Sequence, residues 1–298
     1  MNSCLKYFSA SLLALLTQAA FAQSAPTLGA ASDFAALAGG PAAGAVTCTT
    51  SIVTGDVGVV FPGTFVETDC TINGTVDENA TAAYADFLSA YEMFPSIPCD
   101  ATLTGTLAGV TLAPGVYCFD AAATLTGTLT LNGSSTDDLW IFKIGTGGTG
   151  ALTGTNFSVV MAGGAEAAQC PNVYWWEAQA ATMTSSNFLG TILAGADITV
   201  TGGTFKGDAL AGGAGTNELP AGAVTLTGTT INACAPAGGT VVHIDKLKCN
   251  QGVGNGPEGC DPGNSNQGNP FRSNDEGIDG VLDSPGTPGN PGRKGGGR

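Results

Sequence analysis

The feature that most constrains this chain is a short threonine-rich segment that recurs with variation. Thr199-Val-Thr201-Gly-Gly-Thr204 has three relatives: Thr153-Gly-Thr-Asn156, Thr184-Ser-Ser-Asn187 and Thr227-Gly-Thr-Thr230. All follow one plan, Thr, two small or short polar residues, then Thr or Asn. In a strand, residues two apart point to the same face, so such segments lay short hydroxyl and methyl groups on a flat surface. Repetition of a Thr-rich strand with Gly corners predicts a solenoid. The segments start 31, 17 and 26 residues apart, so the predicted coils are unequal and the solenoid irregular. The same strand spacing would also build an antiparallel sandwich.

Other strands are predicted over Thr124–Leu131, Leu139–Ile144, Phe157–Met161, Val173–Trp176, Leu189–Leu193 and Ala223–Thr227. They are rich in Val, Ile, Thr and aromatics, and several are apolar on alternate positions only, which gives each a buried and a polar face. One segment breaks this pattern. Tyr84, Phe87, Leu88, Tyr91 and Phe94 fall at helical spacing before Pro95, with Asp77-Glu78-Asn79 as a capping candidate. This predicts a single amphipathic helix of about four turns, its aromatic stripe packed against the solenoid.

Residues 1–22 read as a secretory signal, from Lys6, the apolar run Leu12–Leu16 and the small-residue site Ala20-Phe21-Ala22. A retained N-terminal anchor is the alternative. Residues 23–234 are expected to form one domain. Residues 235–298, rich in Gly, Pro and Asn, are expected to be a largely disordered tail. Beyond Cys4, in the signal, eight cysteines remain, an even count that points to disulfides in an exported chain. Sequence proximity favours Cys48–Cys70, Cys99–Cys118, Cys170–Cys234 and Cys249–Cys260.

Charge excludes several functions. The net charge is −15, and between Gln23 and Cys234 the only basic residues are Lys143 and Lys206. Nucleic acid and anionic membrane surfaces both require a basic footprint, so neither is an expected partner. No later apolar run is long enough to insert in a bilayer. His243 is the only histidine and no Cys-x-x-Cys pair exists, so no metal or other cofactor is expected. Asp275, Glu276, Asp279 and Asp283 lack the spacing of a calcium loop and read as a solvated linker. No catalytic residues are assigned: Asp56, Asp86, Asp120, Asp137, Asp138, Glu166, Glu177, Asp197 and Asp208 are scattered, most beside Gly or Asn as turn markers. Gly145-Thr-Gly-Gly-Thr-Gly150 precedes a strand rather than a helix and is no dinucleotide site.

A set of motifs carries a resemblance. Leu28-Gly-Ala-Ala-Ser-Asp-Phe-Ala-Ala-Leu37 opens it, then Thr54-Gly-Asp-Val-Gly58 with Pro62-Gly63, and the helix with Asp86 and Ala90-Tyr91. Leu112–Phe119, Ile141-Phe-Lys-Ile-Gly145, Asn172-Val-Tyr-Trp-Trp176 and Phe188–Ala194 follow in order. Over about Leu28 to Ile231 the chain resembles the secreted ice-binding (antifreeze) proteins built on an irregular β-solenoid with a long helix alongside. The resemblance implies a mainly β fold, a right-handed irregular parallel β-solenoid of triangular section with one long α-helix packed alongside. It also implies coils not stacked in sequence order. It implies a flat face carrying a Thr-Ala/Gly-x-Thr/Asn pattern that meets ice and inhibits its growth and recrystallisation. Residue by residue, that pattern falls on Thr153, Asn156, Thr201, Thr204, Thr227 and Thr230, and on Thr184 and Asn187 with Ser185 in place of Ala or Gly.

The expected partner is therefore an ice crystal surface, met by a secreted monomer. A cell-surface adhesin or matrix module on the same scaffold remains the competing expectation, motivated by the tail. Thr is also a good strand residue that ladders on any solvated face. Trp140, Trp175 and Trp176 are expected to pack in the core or at its rim, with one of the adjacent pair facing outward. Asn73, Asn132 and Asn156 match the glycosylation pattern, and Asn156 is expected to be bare.

Overall fold

The computed structural model describes residues 24–40, 44–164, 172–213 and 222–233. A 3-10 turn (Gly29–Asp33) leads into strand β1 (Phe34–Ala38). One three-sided coil follows, β2 (Ala45–Thr49), β3 (Ile52–Thr54) and β4 (Asp56–Val59). A second is made of β5 (Thr64–Thr68), β6 (Thr71–Asn73) and β7 (Val76–Asp77). Helix α1 (Thr81–Met93) and a 3-10 turn (Phe94–Ser96) intervene before β8 (Ala101–Thr102), β9 (Thr111–Leu112) and β10 (Gly115–Phe119). Long and short strands then alternate: β11 (Ala123–Gly133), β12 (Leu139–Ile144), β13 (Leu152–Gly163) and β14 (Asn172–Glu177). After them come β15 (Ala181–Leu189), β16 (Thr191–Ala194), β17 (Ile198–Lys206), β18 (Ala209–Ala211), β19 (Val224–Thr227) and β20 (Thr230–Asn232).

The strands form two sheets whose named pairs are all parallel. This is the solenoid, not the antiparallel sandwich. One sheet runs β7-β4-β1-β18-β16-β14-β12-β10-β8. The other runs β5-β2-β19-β17-β15-β13-β11-β9, with β20, β3 and β6 continuing it beyond a bend. Stacking departs from chain order, because β1 lies between β4 and β18 while β19 lies between β2 and β17. One coil is thus shared by both ends of the described chain, β19 and β20 from one and β1 from the other.

Alternation explains the core. In β17, Ile198, Val200 and Phe205 are buried while Thr199, Thr201 and Thr204 lie on the other side. The inward residues of successive coils merge into one cluster with Trp140, Phe142, Trp175, Phe157 and Phe188 at its centre. The rings of Phe142 and Trp175 stack at 3.9 Å.

The first sheet is buried on both faces, as its near-continuous apolar strands require. Its outward Leu37, Leu210, Leu193, Ile141, Val116 and Trp176 receive the Tyr84, Phe87, Tyr91 and Phe94 stripe of α1. Three hydrogen bonds fix the helix: Tyr84 Oη donates to Gly212 O (2.8 Å), Tyr91 Oη to Glu177 O (2.9 Å), and Trp176 Nε1 to Tyr91 O (3.1 Å). Of the adjacent tryptophans, Trp175 faces the solenoid interior, and Trp176 faces outward beneath the helix. The expected cap is corrected. Ala80 precedes the helix without a side-chain cap, and Asp77 and Asn79 instead bond within their own turn. The disulfides Cys48–Cys70 and Cys99–Cys118 form as expected. Cys170, Cys234, Cys249, Cys260 and the tail lie outside the described residues.

Candidate functional site

The second sheet has a line of left-handed residues at its bend: Asp69, Thr50, Gly228, Gly202, Gly203, Ser185, Asn156 and Gly127, one or two per coil. In β13, β15 and β17, and between β19 and β20 and between β2 and β3, the bend shifts the inward–outward alternation by one, whereas in β11 Leu125 and Leu129 keep it across Gly127. In β15, Thr184 and Ser185 face outward, Ser186 is buried and Asn187 faces outward again. Residues three apart would otherwise point to opposite faces. The left-handed residue lets both ends of a Thr-x-x-Thr segment meet solvent.

Before this line, two outward columns are almost pure threonine. The first runs Thr124, Thr153, Thr182, Thr199, Thr225 and Thr47, ending at Val66. The second runs Thr155, Thr184, Thr201, Thr227, Thr49 and Thr68. Beyond the bend a third column holds Thr128, Ser158, Asn187, Thr204, Thr230, Ile52 and Thr71. Neighbours in a column lie about 4.7–4.9 Å apart, and the first two columns about 6.5–7 Å apart. Thr204 Oγ1 donates to Asn187 Oδ1 at 2.9 Å, and Asn187 Nδ2 reaches toward Ser158 Oγ, so the third column is tied side chain to side chain.

Three of the four sequence segments therefore stand in register: Thr184, Thr201 and Thr227 in the second column, Asn187, Thr204 and Thr230 in the third. The fourth is offset. Thr153 belongs to the first column, and Asn156 is itself the left-handed residue of its coil. Sequence reasoning missed Thr155 and Ser158 as the residues in register there. It also missed Thr47, Thr49, Thr68, Thr124, Thr182 and Thr225, and it singled out the segment of Thr199 without placing Thr199 among the contact residues. The signal that finds them is plain Thr-x-Thr alternation inside each strand, rather than the three-residue spacing across the bend.

Charge is kept off these columns. A fourth column, farther past the bend, is mixed, with Leu189, Lys206, Asn232, Thr54 and Asn73 in register. Lys143 is buried, its ammonium donating to Pro95 O (3.3 Å) and Ile97 O, and burial lowers its pKa. Most turn carboxylates accept backbone N–H groups, as in Asp56 to Thr75, Asp138 to Ser134 and Ser135, and Asp197 to Ala223. Glu177 is different: it lies inside the solenoid in register with Ile144 and Ala194. Neither of its carboxyl oxygens has a hydrogen-bond partner among the described residues, and burial raises its pKa well above the usual carboxylate value.

A cleft of about 430 Å³ lies beside Thr102–Thr106 and Phe119–Thr124. Its one ionisable lining group, Asp120, accepts a hydrogen bond from Thr146 Oγ1 (3.1 Å). Among the described residues no cluster of three or more His, Cys, Asp or Glu could hold a metal ion, and no helix is long and apolar enough to cross a membrane.

Among the described residues, then, the chain is a parallel solenoid with one side covered by a helix and another carrying columns of hydroxyl side chains. The model of the family described as Ice-binding-like matches residues 27–232, and the chain belongs to that family. An ice-binding protein of Nostoc sp. (strain HG1) is 37% identical over 194 residues, 61% of this chain and 66% of that protein. Ice-binding protein K3-B1 of Typhula ishikariensis is 36% identical over 121 residues, 40% of this chain and 42% of that one. The match thus spans less than two thirds of either relative. Among solved structures, an ice-binding protein from an Antarctic Flavobacteriaceae bacterium aligns with TM-score 0.60 and 34% identity, over 72% of this chain and 49% of that chain. The ice-binding protein of Antarctomyces psychrotrophicus aligns with TM-score 0.59 and 29% identity, over 71% of this chain and all of that chain.

Proposed function

We propose that this chain is a secreted protein that adsorbs to ice through its threonine columns, inhibiting growth and recrystallisation. The observation that carries the proposal is the registered, uncharged Thr array on a sheet that no other described element covers. Membership of the Ice-binding-like family and similarity to ice-binding proteins of other organisms support it. Export is supported by the signal-like residues 1–22 and by the two disulfides.

The contact set comprises the expected Thr153, Asn156, Thr184, Asn187, Thr201, Thr204, Thr227 and Thr230 together with the column threonines beside them. Methyl groups order water over the sheet and hydroxyls anchor it, so that the ordered layer merges with the crystal lattice. Each contact is weak, and the sum depends on repeated spacing and on the absence of long charged side chains. Adsorbed molecules force ice to grow as curved fronts between them, which lowers the growth temperature below the melting temperature.

The test is a single ice crystal grown in the purified protein. Faceting and a gap between melting and growth are expected, and Thr201→Tyr and Thr227→Tyr should close most of that gap. Round crystals without a gap, from folded protein, would overturn the proposal.

A further inference from the structure

Just past the line of left-handed residues, a column runs Ser186, Gly203, Thr229, Ser51 and Cys70, one residue per coil, in which Ser186, Thr229 and Ser51 are buried, Cys70 is half-buried and Gly203 is exposed. Buried hydroxyls are rare elsewhere in this core, yet Ser186, Thr229 and Ser51 are each at most 3% exposed. Two of them repeat one pattern. Ser186 Oγ donates to Thr184 O (2.9 Å) and accepts from the N–H of Phe157 in the next coil (3.2 Å). Ser51 Oγ donates to Thr49 O (2.8 Å) and accepts from the N–H of Thr229 in the next coil (3.1 Å). Thr229 Oγ1 in turn donates to Gly203 O at 3.3 Å.

The physical reason lies in the bend. A left-handed residue swings its peptide out of the ladder, so the N–H that follows it in the neighbouring coil loses its usual carbonyl partner. Phe157 and Thr229 are buried, and a buried N–H must be satisfied. Each serine hydroxyl supplies the missing acceptor and pins the carbonyl of Thr184 or Thr49, both members of the second threonine column. The hydroxyls thereby tie the bend of one coil to the bend of the next, directly beneath the surface that the threonines present.

We propose that Ser51 and Ser186 are positioning residues for ice adsorption: they hold successive coils in register at the bend without touching ice. The inference rests on the ice-binding reading above. Thr229 shows that threonine fits this column, so Ser186→Thr keeps a hydroxyl there and serves as the rescue variant.

Thermal hysteresis is measured near the freezing point for the full chain and for Ser186→Ala, Ser51→Ala, Ser186→Thr and Ile141→Ala. Circular dichroism verifies that each is folded at that temperature. Ile141 lies beneath α1, away from the bend, and its truncation is the control for lost stability alone. Ser186→Ala and Ser51→Ala should lose most of the hysteresis with every column threonine intact, whereas Ser186→Thr and Ile141→Ala should retain it. Amide exchange at Phe157 should accelerate in Ser186→Ala while exchange at Ile141 stays unchanged, which separates a local loss at the bend from partial unfolding. Unchanged hysteresis in the alanine variants, whatever the exchange at Phe157, or an equal loss in Ile141→Ala, would overturn the positioning role. Absence of hysteresis in the unmodified protein would instead overturn the ice-binding reading, and this inference with it.

Discussion

The helix-covered sheet and the threonine-bearing sheet are built from the same parallel strands around the same core, and they end in opposite surfaces. On one, the outward positions are Leu37, Leu193, Leu210, Ile141 and Trp176, and α1 is recruited to cover them. On the other, the outward positions are threonines, apolar enough to favour a strand and polar enough to remain in water. Backbone hydrogen bonding does not distinguish the two. The difference teaches that the outward residue alone decides whether a solenoid side becomes interior or remains a working surface.

The covered side breaks most severely. Phe87 is fully buried between helix and sheet, and Phe87→Ala should cost about 3–5 kcal/mol in urea unfolding, while the hysteresis of the molecules still folded stays unchanged. At the bend the two properties should fall together. Gly203 sits at φ +75°, and a Cβ there would lie 2.1 Å from Ser186 O, so Gly203→Ala should cost about 1–3 kcal/mol and much of the hysteresis.

Glu177 sharpens the comparison by pH. A carboxyl whose folded pKa is raised binds its proton more tightly folded than unfolded. Stability is then fullest at or below the unfolded carboxylate pKa and declines as pH rises toward the folded value, by at most about 1.4 kcal/mol per pH unit. Glu177→Gln should flatten the fall of the melting temperature with pH above the ordinary carboxylate range, without altering ice-crystal shape. The smallest stability effect belongs to the bare side. Thr225→Lys and Asn232→Lys should each change stability by no more than about 0.5 kcal/mol. Only Thr225→Lys, inside the first column, should abolish hysteresis; equal loss in both would extend the contact to the fourth column.

Much of this organisation was legible beforehand because it is periodic. Alternation revealed the strands, the aromatic stripe revealed the helix, and proximity paired Cys48 with Cys70 and Cys99 with Cys118. The columns were less legible, since register is a property of neighbouring coils and the intervals between them are unequal. Asn156 shows the difficulty: its segment fits the pattern, but an Asn tolerates the left-handed region and takes the bend itself. Glu177 was unreadable for another reason, as nothing in Trp175-Trp176-Glu177 marks a carboxyl that the fold places inside.

The coil shared by β1, β19 and β20 has a consequence for how such a surface can grow over evolution. Ordinary repeat proteins lengthen by adding units at an end, since each unit touches only its neighbours. Here the first and last strands of the described chain are locked together in mid-stack, and the coils at the two extremities are internal to the sequence. A coil added next to β1 or β20 has no open rung to join, because each is already paired on both sides. Under the ice-binding reading, longer threonine columns would come from insertions in the outermost coils, inside the sequence, rather than from added length beside β1 or β20.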